Sequence, residues 1–150
     1  MGYLVLRFDD ATIGQYTNGY KYMKQFNIKG TIFPIVTRVG KKGFISWESL
    51  LEMQDAGWEI GSHSMTHSKD WINDAKKIEY ELNNSLLILR EKGFNVVSFC
   101  FPFNKYNDTV IEKSLKYYKC CLAKYKHTIL KKKTLPIPSI SSKEGLNKIF

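Results

Sequence analysis

The stretch SWESLLEMQDAGWEIGSHSMTH, residues 46–67, joins a helix and a strand to a pair of histidines. Ser46 is a residue type that caps helix N-termini, and apolar side chains follow it at helical spacing. Gly57 suits the left-handed position that ends a helix. WEIGS (58–62) is then predicted to form a short buried strand. A helix that leads directly into a strand is typical of an α/β domain.

The end of this stretch, HSMTH, holds two of the chain's three histidines, His63 and His67. On a helical turn this spacing places both imidazole rings on one side, as in zinc proteases. Two histidines on a polar surface turn are an equally ordinary explanation. The spacing therefore does not decide between a metal site and a solvated turn, and a third ligand has to come from elsewhere in the chain.

The rest of the chain alternates apolar runs with amphipathic stretches. Helices are predicted around Tyr16–Asn27, over residues 73–92 and over residues 108–118. The predicted strands are YLVLRF (3–8), TIFPIV (31–36), WEIGS (58–62), VVSFCF (96–101) and KCCLA (119–123). Strands separated by helices of this length predict a mainly parallel sheet, either open or closed into a small barrel. In both architectures functional sites gather at the carboxyl ends of the strands.

Polar residues follow three of these predicted strands. Asp9 and Asp10 end the first strand, His63 follows the third, and FPFN (101–104) follows the fourth. Parallel pairing would bring these ends to one rim. Two imidazoles and one carboxylate form an open metal site that leaves positions for water and substrate. A second carboxylate beside the metal is what metal-assisted hydrolysis needs as a base, so His63 and His67 are predicted to bind metal.

RFDD (7–10), GTIF (30–33), residues 46–67 and FPFN (101–104) together resemble the polysaccharide deacetylase family, the nodulation-protein homology domain. Their order and spacing match the family from residue 3 to about residue 104. LPIPSI (135–140) resembles the stretch that commonly follows. The resemblance implies a distorted, incomplete (β/α) barrel and the hydrolysis of N-acetyl or O-acetyl groups, usually on a sugar polymer.

The resemblance also implies roles for individual residues. Asp9 is the expected general base, and the expected metal ligands are Asp10, His63 and His67. The backbone N–H of Phe103 is expected to bind the oxyanion. One divalent ion is implied, with zinc favoured over cobalt or nickel because two imidazoles and a carboxylate suit zinc. The expected partner is an acetylated glycan.

The chain departs from the family pattern in places that bear on catalysis. Arg7 stands where threonine is usual, Asn104 replaces a glycine, and Cys100 replaces an arginine that orients the catalytic aspartate. Neither the later aspartate-tryptophan motif nor the leucine-histidine motif that supplies the general acid is found. His127, in KYKHTIL, does not match that acid motif. A catalytically weakened glycan- or metal-binding relative, or a cyclic-amide hydrolase on the same scaffold, therefore remains an alternative.

Arg7 suggests a replacement for the missing arginine. Side chains at i and i+2 of a strand share a face, so Arg7 and Asp9 point the same way if the strand stays regular. A guanidinium there would favour the ionised carboxylate and fix its orientation. Alternatively, Arg7 faces outward and extends to solvent while Asp9 turns away at the end of the strand.

Composition limits the remaining classes. The chain of 150 residues is 43% hydrophobic and 25% charged, which is typical of a single globular domain without a membrane span. The net charge is +9, and the five lysines between Lys124 and Lys133 raise the question of nucleic acid. Only Tyr125 interrupts them as an aromatic, so a solvated loop is favoured and no nucleic-acid partner is predicted.

Three cysteines without a pairing pattern favour a reducing compartment. With no signal peptide seen, we expect a cytoplasmic protein, or an exported one if the chain is trimmed. The oligomeric state is left open.

Overall fold

The computed structural model describes residues 6–124 and 137–139 of the chain. The strands in these residues are short, from two to five residues each. Their bounds are β1 Arg7–Asp10, β2 Thr31–Pro34, β3 Glu59–Ile60, β4 Ser98–Cys100, β5 Cys120–Lys124 and β6 Ile137–Ser139. Each predicted strand overlaps an observed one, and β6 lies within LPIPSI. Residues 3–5 of the first predicted strand, His127 and most of the lysine run lie outside the described residues.

The strands pair in chain order, and every pairing is parallel. Arg7 lies opposite Thr31 in the first pair, and Thr31 lies opposite Glu59 in the second. β4, β5 and β6 pair in the same way. One parallel bridge, between Ser62 and Phe99, joins the two triplets of strands. Helices connect β1 through β5, so the fold is the predicted distorted, incomplete (β/α) barrel.

The connecting helices are interrupted more often than the sequence pattern indicates. The α-helices are α1 Lys21–Gln25, α2 Trp47–Asp55, α3 Ala75–Glu79, α4 Ser85–Glu91 and α5 Asp108–Tyr117. A π-helical segment, Gln15–Tyr20, precedes α1, and a second one, Tyr80–Asn84, connects α3 to α4. Short 3-10 turns occupy Val36–Arg38, Trp71–Asn73 and Pro102–Asn104.

Local capping explains where the predicted helices hold and where they fail. The Ser46 side chain accepts a hydrogen bond from the Ser49 N–H, so α2 begins as predicted. The helix predicted over 73–92 begins later, because the Asp74 side chain caps it by accepting from Lys76 and Lys77. The first helix does not extend to Asn27, which has a left-handed φ of 54°.

Gly61 sets the distance between neighbouring strands just before the histidine pair. A Cβ atom at this position would lie 2.2 Å from a Phe33 ring carbon and 2.6 Å from the Ser98 hydroxyl. The absence of a side chain therefore lets the backbone after β3 run between β2 and β4. Gly61 N–H donates to the Ile32 carbonyl, and Ser62 N–H donates to the Ser98 carbonyl.

The interior of the barrel is aromatic and aliphatic. Among the largest fully buried side chains are Tyr20, Phe33, Trp71, Phe99 and Phe101. Across the described residues, none of the helices combines the length and the apolar character needed to cross a membrane. The three cysteines are free thiols.

Candidate active site

The carboxyl ends of the strands place the predicted site residues together. Asp9 and Asp10 are the last residues of β1, and the histidine loop (63–67) follows β3. The end of β2 holds this loop: His63 N–H donates to the Pro34 carbonyl, and Val36 N–H donates to the Ser64 carbonyl. Val36 is bent into a 3-10 turn here, so the strand predicted over 31–36 ends at Pro34.

Asp10, His63 and His67 bring three potential ligand atoms to one point. Oδ1 of Asp10 lies 3.6 Å from Nε2 of His63 and 3.7 Å from Nε2 of His67. One ligand atom from each of the three residues lies within 4.8 Å of the others. The histidines lie in a loop with left-handed φ at Ser64 (68°) and His67 (59°), not on a helical turn. The loop nevertheless turns both rings to the same side.

The hydrogen bond made by His63 fixes which nitrogen is free. Its Nδ1 lies 2.8 Å from the Cys100 carbonyl oxygen. A carbonyl only accepts, so Nδ1 carries the proton and Nε2 presents its lone pair towards Asp10. Burial lowers the pKa of His63. Burial, and next the neighbouring His63, lower the pKa of His67. Both rings are thereby kept in the neutral form that binds a metal.

The surroundings of Asp10 fit a cation at this point. Its Oδ1 is buried and has no hydrogen-bond partner among the described residues. This oxygen faces the unprotonated Nε2 of His63, so two lone pairs approach each other without a hydrogen between them. Such an arrangement costs free energy unless a positive charge satisfies it. A carboxylate with two neutral imidazoles is a donor set that suits zinc and related divalent ions.

Strained backbone marks the same loops. Non-glycine residues with φ between 54° and 74° include Asp10, Ala11, Phe103 and Asn104, in addition to the two in the histidine loop. Left-handed conformations of this kind are unfavourable for residues with a side chain and concentrate at functional sites. At Asp10, the left-handed backbone directs the carboxylate towards the histidines. Asp9, the preceding residue of the same strand, instead directs its carboxylate towards Arg7.

Glu81 braces the histidine loop and was not foreseen from the sequence. Its carboxylate, which is 3% exposed as a residue, accepts from the Thr66 N–H at 2.8 Å and from the Thr66 hydroxyl. Within the loop, the His67 N–H donates to the Ser64 hydroxyl at 3.0 Å. Glu81 lies in the π-helical segment Tyr80–Asn84, and π-helical insertions occur frequently at functional sites. No local motif connects Glu81 with Thr66.

Asp9 lies between Arg7 and Cys100. Nη2 of Arg7 donates to Oδ2 of Asp9 at 2.9 Å, so the two side chains share a face, which is the first of the two arrangements that the sequence left open. Ligand atoms of Asp9, His63 and Cys100 also lie within 4.8 Å of one another. Burial raises the pKa of the Cys100 thiol well above its ordinary value, and the Asp9 charge raises it further. Cys100 is therefore a neutral neighbour of Asp9. The catalytic roles of Asp9 and Arg7 stay predictions.

Phe103 borders the site from the loop after β4. Its ring centroid is 4.2 Å from that of His67, and the residue is 45% exposed. Its φ of 54° interrupts the short 3-10 turn Pro102–Asn104. The position is compatible with a backbone donor near the metal ligands, and its role as oxyanion donor stays a prediction. Asn104, where the family has glycine, adopts a left-handed φ of 56°, which Asn tolerates well.

Comparison with known proteins places these features in a family. The family model for polysaccharide deacetylase matches residues 2–119. YxkH of Bacillus subtilis (strain 168), named as a polysaccharide deacetylase, is 33% identical over 64 residues, which are 43% of this chain and 23% of YxkH.

Solved structures show the same fold. The Streptococcus pyogenes deacetylase PplD in complex with acetate has a TM-score of 0.75 at 23% identity, covering 79% of this chain and 54% of PplD. A family 4 carbohydrate esterase from Streptomyces lividans, also with acetate, has a TM-score of 0.68 at 19% identity, covering 83% of this chain and 63% of the esterase. The chain thus spans only part of the length of these relatives. With most of its length matched by the family model, the chain belongs to the polysaccharide deacetylase family.

Proposed function

We propose that the protein is a metal-dependent hydrolase that removes acetyl groups from N-acetylated or O-acetylated sugars in a polysaccharide or oligosaccharide. The observation that carries this proposal is the convergence of Asp10, His63 and His67 on one point, with Asp9 beside them. The match to the polysaccharide deacetylase family supports the acetylated glycan as substrate. Zinc is the proposed ion because the donor set is one carboxylate and two imidazoles.

The proposed roles of the residues are those that the resemblance to the family implies, and the positions of their atoms are compatible with them. A divalent metal supplies Lewis acidity, which makes water a stronger acid near neutral pH and polarises an acetyl carbonyl. Asp9 takes the proton from the attacking water. The Phe103 N–H donates to the developing oxyanion, and losing such a donor costs about 2.7–4 kcal/mol of transition-state stabilisation. Asp9 then returns its proton to the leaving nitrogen, acting first as base and then as acid.

The substitution at Cys100 favours a second candidate, a weakened relative that binds glycan or metal without turnover. Cys100 is buried beside Asp9 and brings no positive charge to it. A cyclic-amide hydrolase on the same scaffold shares the proposed chemistry with the main candidate. These candidates differ in whether a product forms and from which substrate.

An activity screen separates the three candidates. Purified protein loaded with zinc, cobalt or nickel is incubated with acetylated chitin oligomers, peptidoglycan fragments, acetyl esters of sugars and small cyclic amides. Release of acetate, lost in the Asp9→Asn variant, is the expected result. Ring opening of a cyclic amide without acetate release would favour the cyclic-amide hydrolase. Metal binding without any product would favour the weakened relative.

A further inference from the structure

We infer that Arg7 is a positioning residue that holds Oδ2 of Asp9 and thereby fixes the orientation of this carboxylate. The inference rests on the proposed function, since Asp9 is the proposed base. It also explains how the site keeps an oriented base with a cysteine at position 100.

The contact between Arg7 and Asp9 involves only one nitrogen of the guanidinium group. Nη2 of Arg7 lies 2.9 Å from Oδ2 of Asp9. Nη1 of Arg7 and Oδ1 of Asp9 are both buried and have no hydrogen-bond partner among the described residues. The pair is therefore not the bidentate fork that arginine and carboxylate commonly form. Arg7 therefore holds one oxygen of Asp9, while its own Nη1 and the other carboxylate oxygen stay buried.

Holding Oδ2 fixes the direction of Oδ1. The two oxygens of a carboxylate rotate together about one bond, and the strand fixes the Cα position, with Asp9 opposite Phe33 in the pairing of β1 and β2. The Arg7 side chain is only 15% exposed, so its charge is poorly screened by water. A base whose orientation is already fixed needs no reorganisation when it takes the proton from the attacking water.

The fourth strand supplies no alternative charge. Cys100 ends β4, and its thiol group lies close to Asp9, where it is buried and neutral. In the part of the chain that the structure describes, the ion pairs include only Arg7 as a cationic partner of Asp9. The orienting charge therefore enters from β1, two residues before the base, and not from β4.

The first test separates orientation from binding. Arg7→Met removes the charge while keeping a long apolar side chain. We expect kcat for acetate release to fall about 100-fold, the scale of a misplaced catalytic group, with KM and metal content unchanged. Lys24→Met, which removes an exposed ion pair with Glu52, is the control and should keep its kcat. Unchanged kcat in Arg7→Met would overturn the inference.

Chemical rescue tests the charge itself. Arg7→Ala leaves a space that guanidinium ion fills, at concentrations far below those that unfold proteins. Urea has nearly the same shape without the charge. Recovery of kcat with guanidinium but not with urea supports the inference. Equal recovery with both, or none with either, contradicts it.

A final measurement does not depend on activity. Melting temperatures are compared for the metal-free protein and for Arg7→Met, Asp9→Asn and the double variant. We expect the two single losses to sum to more than the loss in the double variant, because each single change leaves a half-buried charge without its partner. The exposed pair Lys116–Glu112 is the control and should show additive effects. Additive losses for Arg7 and Asp9 overturn the inference, whereas a wild-type protein that releases no acetate counts against the proposed function alone.

Discussion

Asp9 and Asp10 are adjacent in the chain but have different surroundings. Asp9 lies against Arg7 and Cys100, while Asp10 turns at a φ of 74° towards the two histidines. The spacing of the two neighbouring acids does not distinguish them, and only the resemblance to the family assigns Asp10 to the histidines. The strained backbone at Asp10 separates the proposed metal ligand from the proposed base across a single peptide bond.

This separation predicts different effects for two similar substitutions. Asp9→Asn should reduce acetate release by more than 100-fold, in the range of general acid–base contributions of about 10²–10⁴-fold, while metal stays bound. Asp10→Asn should lose the metal, because its Oδ1 is the oxygen nearest both imidazoles. Elemental analysis and steady-state kinetics on both variants check this.

The His63→Ala, His67→Ala double variant serves as the metal-free reference. Metal content equal to that of the wild type in this variant would contradict the ligand assignment. Substantial turnover of Asp9→Asn at saturating metal would show that another group is the base.

At the scale of elements, the π-helical segment Tyr80–Asn84 links the helical layer to the loop of the proposed metal site. It carries Glu81, whose buried carboxylate accepts two hydrogen bonds from Thr66. Groups that orient metal ligands from outside the coordination sphere commonly change metal affinity by about 10–100-fold when they are removed. The π-helical segment thus contacts, through Glu81, the loop that carries the proposed ligands His63 and His67.

We therefore expect Glu81→Ala to raise the dissociation constant for zinc within that range, because the histidine loop loses its anchor. Titration with zinc against a competing chelator measures the effect. Glu79→Ala is the control, since Glu79 bonds to the Tyr117 hydroxyl and not to the loop. An unchanged zinc affinity in Glu81→Ala would show that the loop holds its shape without Glu81.

The close approach of strands at Gly61 gives a second prediction at this scale. Gly61→Ala should lower the free energy of unfolding by about 1–3 kcal/mol, the usual range for overpacking, because a methyl group meets the Phe33 ring. Gly14→Ala is the control, since no atom lies within 4 Å of its added Cβ. Urea denaturation of both variants measures the difference, and equal stabilities would contradict the packing argument.

The helices and strands show which features of the structure could be predicted from the sequence. The order of strands and the start of α2 at Ser46 were predicted from apolar periodicity and capping, which are local. Parallel pairing predicted that the acids after β1 would meet the two histidines, and the resemblance to the family supplied the choice of Asp10 as the proposed ligand. The contact of Glu81 with Thr66 was missed, because it joins two segments that no periodic pattern relates. The helical turn considered for the histidines is a loop, because β2 holds its backbone.

At the scale of the whole molecule, the proposed metal joins distant parts of the chain. Asp10 comes from β1, and His63 and His67 come from the loop after β3. A ligand that binds only the folded state stabilises it, by about 2.7 kcal/mol at a concentration 100 times its dissociation constant. Removing the metal with a chelator should therefore lower the melting temperature. The His63→Ala, His67→Ala variant should not respond to the chelator, and an equal response in both would place the metal elsewhere.

Tyr118 predicts how stability depends on alkaline pH. Its hydroxyl donates to the Leu82 carbonyl at 2.8 Å, and burial raises its pKa from 10.0 to about 12. The folded state therefore favours the protonated phenol. The resulting stability is complete below pH 10 and is lost as the pH rises through about 12.

Tyr118→Phe should make the decline in stability between these two pH values shallower. Some decline remains, because burial also raises the pKa of Cys121 to about 12. Denaturant midpoints measured across this range test the expectation. A slope as steep as that of the wild type would show that Tyr118 does not contribute.

In the part of the chain that the structure describes, the bridge between Ser62 and Phe99 lies at the junction of the two strand triplets. The two triplets of strands meet there, and the Ser62 and Cys100 amides donate across the junction, to Ser98 and Ser62 respectively. His63 also crosses it, through its bond to the Cys100 carbonyl. Any local separation of the triplets would therefore disturb His63, a proposed metal ligand, and a bound metal would oppose the separation. Amide hydrogen exchange at Ser62 and Cys100 should accordingly slow when zinc is added, reporting occupancy of the site from the backbone alone.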